Sequence, residues 1–108
     1  MSYKVKTIPV FERQAKRLIK KYHSLQKELL ALVQELKKDP EQGTSLGNNC
    51  YKIRLSISSK GKGKSGGARI IANIAVEDET VYLLTIYDKS EQSDISNKEL
   101  QELLKEIP

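Results

Sequence analysis

The stretch that decides the fold is ARIIANIAV, residues 68–76, followed by EDE and then by TVYLLTIY, residues 80–87. Ala68, Ile70, Ala72, Ile74 and Val76 fall on every second position, with Arg69, Ile71 and Asn73 among the positions between. That period of two is a β-strand, because successive side chains of a pleated chain point to opposite faces. Glu77-Asp78-Glu79 is short and polar, so it reads as a hairpin turn with an antiparallel strand beyond it. Upstream, Ile53, Leu55 and Ile57 alternate with Lys52, Arg54 and Ser56 in a further strand over 50–57.

Outside this block the period changes. Phe11, Ala15, Leu18, Ile19 and Tyr22 follow helical spacing after Pro9, whose missing N–H suits a first helical turn. Ser24 is the expected N-cap of a second helix with Leu25, Leu29, Leu32, Val33 and Leu36 on one face. Asp39-Pro40 ends it, since the residue before proline is pushed out of the helical region. Only His23 and Ser24 separate the two, which makes a helical hairpin. Residues 3–7 give a short leading strand. Near the end, Ser96 and Glu99 form a capping box, with Ile95 and Leu100 at the staple positions of a last helix. The order predicts an α+β domain over residues 1–108: a small antiparallel sheet with an N-terminal helical hairpin and a C-terminal helix, the helices on one face.

Charge gives the first functional signal. The chain has 19 Lys plus Arg and 14 Asp plus Glu, a net of +5. Between Gln42 and Val76 there is no acid, but there are six bases: Lys52, Arg54, Lys60, Lys62, Lys64 and Arg69. Setting those six aside leaves 13 bases against 14 acids, so this segment accounts for the positive excess. A surface that only needs solubility mixes its signs, whereas a one-signed field attracts polyanions, nucleic acid above all. A single His and a single Cys exclude the usual zinc sites and an internal disulfide. No membrane span or signal-peptide core is present in the sequence, so a cytoplasmic protein without metal or cofactor is expected.

The glycine-rich loop SSKGKGKSGG, residues 58–67, ends its basic run in Gly63-Lys64-Ser65, like a phosphate-binding loop. The full motif needs glycine at position 58, where Ser58 stands, and a helix after the loop, where a strand follows. Nucleotide binding is rejected. The loop is instead expected to be a solvated hairpin connection or a mobile basic arm that closes on a phosphate backbone.

Lys52 and Arg54, two residues apart, share a strand face; antiparallel pairing is expected to set Arg69 beside them on the exposed face, with Lys89 just past the third strand. Such an array suits a phosphodiester, which an Arg guanidinium grips in bidentate fashion. Paired carboxylates and a Ser–His–Asp set are missing from the surrounding sequence; His23 reads as a turn residue and Cys50 as a small buried side chain. RNA supplies its own nucleophile, the 2′-hydroxyl, so a protein needs only to align the chain, neutralise developing charge and move protons through a Lys or Tyr of lowered pKa.

The segments Cys50-Tyr51-Lys52-Ile53-Arg54-Leu55, Gly67-Ala68-Arg69-Ile70-Ile71 and Leu83 to Lys89 resemble the RelE superfamily of bacterial toxins. The KGKGKSGGAR loop (60–69) and YDKSE (87–91) resemble its HigB-type branch most. The resemblance implies a ribosome-dependent messenger-RNA endonuclease of a type II toxin–antitoxin system. Its partners would be the ribosomal A site and a cognate antitoxin, HigA-like with a helix-turn-helix. It also implies catalytic roles for Arg69, Lys89 and Arg54 and RNA binding by Lys52, while the basic-arm reading of the loop adds Lys60, Lys62 and Lys64 as expected RNA contacts. The family's catalytic Tyr position holds Ile95 here, and Tyr87 is the expected substitute. Two other readings stay open: a ParE-like gyrase poison, which shares the fold without cleaving RNA, and a non-catalytic nucleic-acid-binding or assembly module. The free protein is expected to be a monomer, because one core absorbs its apolar stripes.

Overall fold

The alternation at residues 68–76 and 80–87 becomes the centre of a five-stranded sheet. In the structure, a computed structural model that describes residues 2–61 and 66–108, the described strands are β1 (Lys4–Thr7), β2 (Thr44–Gly47), β3 (Cys50–Leu55), β4 (Ala68–Ala75) and β5 (Thr80–Asp88). The described helices are α1 (Pro9–Lys21), α2 (Leu25–Lys38) and α3 (Asn97–Leu104). The strand order is β1-β5-β4-β3-β2. β2, β3, β4 and β5 are antiparallel neighbours, as expected. β1 is not: it runs parallel to β5, with Val5 beside Val81, so the sheet is mixed.

β2 is a strand that the alternation did not announce. It joins β3 through Asn48 and Asn49, both with positive φ (53° and 58°), the backbone of a hairpin turn whose twist matches its strands. Gly43, just before β2, has φ of 92°, and a Cβ there would lie 2.2 Å from the Lys52 carbonyl oxygen. Only glycine lets the chain pass that close to β3.

The helices also depart from expectation, since they cover both faces. α2 lies over Ile53 and Leu55 of β3, and Tyr22 at the end of α1 bonds Asp88 of β5. The chain after β5 turns to the other face, where Asp94 meets Lys52. β5 is therefore buried along its whole length and β4 along most of it. α1 closes the free edge of β5 beyond the end of β1: Gln14 Oε1 accepts from the Ile86 N–H (3.1 Å) and the Thr85 hydroxyl (2.7 Å).

Two caps resolve differently. Ser96 Oγ accepts from the Glu99 N–H at 3.1 Å, so the last helix is capped as its sequence predicts. Ser24 makes no such cap. Its hydroxyl instead donates to Glu28 and accepts from the Ser59 N–H (3.0 Å), and Glu28 accepts the Ser58 N–H (2.8 Å). The hairpin junction is thus tied to the root of the glycine-rich loop. The loop's expected mobility covers residues 61–67, of which 62–65 lie outside the described residues.

Candidate functional site

Register builds the site. Arg54 of β3 pairs with Arg69 of β4, and Arg69 pairs with Tyr87 of β5. Directly opposed residues point to the same face, so two guanidiniums and a phenol form one row across three strands. Lys52 stands two residues from Arg54 and shares that face. Like charges directly opposed across strands destabilise a sheet. The Arg–Arg pair concentrates positive charge at its centre, a field that attracts anions.

Burial sorts the row. Arg54 is exposed, Lys52 half-buried, and Arg69 only 5% exposed. The expectation of an exposed Arg69 is corrected: β4 is an inner strand, and its side chain bonds the Ala68 carbonyl at 3.2 Å. Tyr87 is 4% exposed. Its buried hydroxyl has no hydrogen-bond partner among the described residues.

Burial pushes the Tyr87 phenol above its ordinary value; nearby Asp94 and Glu99 add to that, while Arg69 opposes it. The expectation of a Tyr with lowered pKa is corrected. In its neutral form the phenol can donate a proton but cannot take one up as a base.

The segment after β5 brings in groups that the sequence reading missed. Asp94 Oδ1 meets Lys52 Nζ at 3.2 Å. Its carboxyl is held below the usual range by the Ile95 N–H and by Lys52, with Lys89 contributing. Lys89, half-buried, donates to the Ser93 carbonyl at 2.8 Å, so it stands at the rim beside Asp94. Carboxylates do reach the basic face, then, from about forty residues away in sequence. A capping box tells where α3 starts but not which face it covers.

Lys60 is not part of this row. Its ammonium is hydrogen-bonded to Asp88, donates to Ser90 Oγ at 3.0 Å, and lies 5.6 Å from the centre of the Tyr22 ring. Asp88 is fully buried on the opposite face from Tyr87, and Tyr22 Oη donates to it at 2.6 Å. Burial alone would raise the Asp88 carboxyl, but bonds from Lys60, Tyr22 and Ser90 outweigh it and hold it far below the carboxylate range. Lys60 thus pins the loop root rather than facing the row. Lys62 and Lys64 lie outside the described residues. The structure therefore gathers Lys52, Arg54, Arg69, Tyr87 and Lys89 and sets Lys60 apart.

His23 is exposed at the helical junction. Cys50 is fully buried, which pushes its thiol up. Among the described residues, no group of three or more His, Cys, Asp or Glu is arranged to hold a metal ion. No described helix is long and apolar enough to cross a membrane.

Known proteins share this arrangement of elements. A mutant of E. coli toxin RelE in the free state superposes with a TM-score of 0.62 at 21% identity, covering 100% of both chains. The intact E. coli RelBE toxin–antitoxin complex gives 0.62 at 17% identity, over 81% of this chain and 96% of that one. The RelBE2 toxin–antitoxin complex from Mycobacterium tuberculosis gives 0.57 at 14%, over 82% and 99%. At such identities the likeness speaks for the fold. The sequence itself matches the model of the RelE toxin of the RelE/RelB toxin–antitoxin system over residues 7–107. That match takes in the helical hairpin, the arginine row and the segment folded over it, and it shows that the chain belongs to the RelE toxin family.

Proposed function

We propose that this protein is the toxin of a type II toxin–antitoxin pair and acts as a ribosome-dependent messenger-RNA endonuclease. The observation that carries the reading is the Arg54–Arg69–Tyr87 row with Lys52 on its face. An opposed arginine pair favours a phosphoryl group whose charge grows during reaction. In the proposed step the 2′-oxygen attacks the adjacent phosphorus and the bond to the 5′-oxygen breaks. The products are a 2′,3′-cyclic phosphate and a 5′-hydroxyl. Arg54 and Arg69 hold the non-bridging oxygens, Lys52 and Lys89 steer the flanking backbone, and the neutral Tyr87 phenol gives its proton to the leaving 5′-oxygen. The attacking hydroxyl loses its proton to water.

The antitoxin is proposed to be a HigA-like helix-turn-helix protein bearing an acidic surface. Opposite charges would make its association fast and salt-sensitive.

Mapping RNA 5′ ends in cells that express the protein tests the reaction. Cuts within translated messages are expected, and Tyr87→Phe should lower cleavage by about 10²-fold, the scale of a lost proton donor. Growth arrest with intact messages and broken chromosomes would sink cleavage in favour of a ParE-like gyrase poison.

A further inference from the structure

α1 carries a basic surface that the sheet site does not use. Arg13, Lys16, Arg17, Lys20 and Lys21 follow i, i+3, i+4, i+7 and i+8 spacing, which is one helix face. All five are exposed and together line one shallow groove, while Phe11, Ala15 and Leu18 bury the opposite face. The only acid in the helix, Glu12, is turned toward the Thr7 hydroxyl. Glu91 pairs with Arg17 (2.8 Å) and Lys21 (3.2 Å), and Lys21 also lies 4.0 Å from Asp88. Arg13, Lys16 and Lys20 form no ion pair with the described residues. Like charges four apart on a helix destabilise it, and this stripe has three such pairs.

Two features choose among polyanions. The stripe offers no open aromatic ring: Phe11 is buried, and the Tyr22 ring is flanked by Lys21 and Lys60 while its hydroxyl is bound to Asp88. Single-stranded nucleic acid is held by stacking as well as by charge, whereas a duplex is held through its phosphates. Nor does the stripe present the apolar anchors on which a protein partner would close. A straight row of cations about 12 Å long matches a rigid backbone.

We propose that the α1 stripe docks the phosphate backbone of double-helical RNA without reading its sequence. The choice of RNA over DNA rests on the reading of the sheet site; the docking itself does not. The two surfaces flank one loop. Glu91 touches the stripe and Asp94 touches Lys52, three residues apart and so within about 10 Å along the backbone. A folded RNA held on α1 would thus present a neighbouring single strand to the sheet.

The test uses the full chain with Arg54→Ala, to disable cutting, and a short blunt RNA duplex as probe, read by fluorescence anisotropy across a salt series. Adding Arg13→Ala, Lys16→Ala and Lys20→Ala should lower the slope of log affinity against log salt by about 2.7, about 0.9 per cation. Alanine favours helix, so thermal melting should not fall. Glu91→Gln should tighten binding, because it removes the carboxylate that competes for Arg17 and Lys21. An unchanged slope in the triple variant overturns the proposal. Equal affinity for a DNA duplex overturns the choice of RNA, and equal competition by polyglutamate overturns the choice of nucleic acid. Because binding is read without cleavage, failure here leaves the nuclease reading standing. Duplex binding that follows the stripe, together with wild-type protein that cuts no message in cells, refutes that reading alone.

Discussion

The sheet row and the α1 stripe are both basic, but they are built in opposite ways. On the sheet, Arg69 and Tyr87 are locked between strands at 5% and 4% exposure, and a folded-over segment supplies a carboxylate to Lys52. On α1 every cation is in solvent, and among the described residues carboxylates reach only Arg17 and Lys21 of the stripe. Buried charges keep one geometry and act at short range in a low dielectric. Exposed ones keep their freedom, are screened by salt and add attraction without orientation. On the two proposed readings the contrast would divide the labour: chemistry on the sheet, where Arg69 is held, and capture on α1, where the cations are loose.

The contrast breaks most visibly at Arg69. Arg69→Ala should cut cleavage by about 10²- to 10³-fold, the scale of one lost oxyanion donor. It should also lower stability by about 1–3 kcal/mol, the cost of disturbing a buried polar group. Arg54→Ala should match the loss of cleavage with no shift in the urea midpoint, because that side chain is exposed. Single-turnover cleavage and urea unfolding of both variants decide this. Equal stability losses would show that the burial difference has no energetic meaning.

Asp88→Asn probes the other side of the sheet and should destabilise by about 3 kcal/mol, since it leaves the Lys60 ammonium half-buried without its charge partner. The sign with pH follows from its depressed carboxyl. The folded value lies below the unfolded one, near 3.9. The stabilisation is therefore complete above that value and is lost as pH falls toward the folded one. Wild-type melting should fall on acidification below about pH 4, with Asp88→Asn lacking that component. Parallel acid titrations of the two proteins would refute the assignment.

The smallest effect belongs to Asp94→Asn. It frees Lys52 and should strengthen binding of a short single-stranded RNA by about two- to five-fold, the worth of a largely exposed pair. Weaker binding would mean that Asp94 organises the site rather than screening it.

Much of this was legible in the sequence, because local periodicity reports which residues share a face. Ile53, Ile70 and the capping box at Ser96 and Glu99 all behave as their patterns say. β2 escaped because Leu46 is its only apolar residue, although Asn48-Asn49 is a hairpin turn in type and place. The parallel partner of β1 lies more than seventy residues away, beyond any local pattern. In the site, charge counts gave sign without direction. Lys60 and Arg69 both added to the basic segment, yet one grips Asp88 behind the sheet and the other sits in the row. The same count passed over α1, because acids elsewhere cancel its stripe in the sum.

The outer strands of the sheet carry a consequence of another kind. β1 is four residues long and places Lys4 and Lys6 in solvent; β2 is equally short and is broken by a bulge between Ser45 and Gly47. Where β1 stops short of the end of β5, Gln14 accepts from the edge amide of Ile86. Short, charged or irregular margins discourage a further chain from adding itself as a strand. A copy released from a partner would then meet other copies at high concentration without templating them. The molecule carries its own protection against fibril growth, written into the two places where its sheet comes to an end.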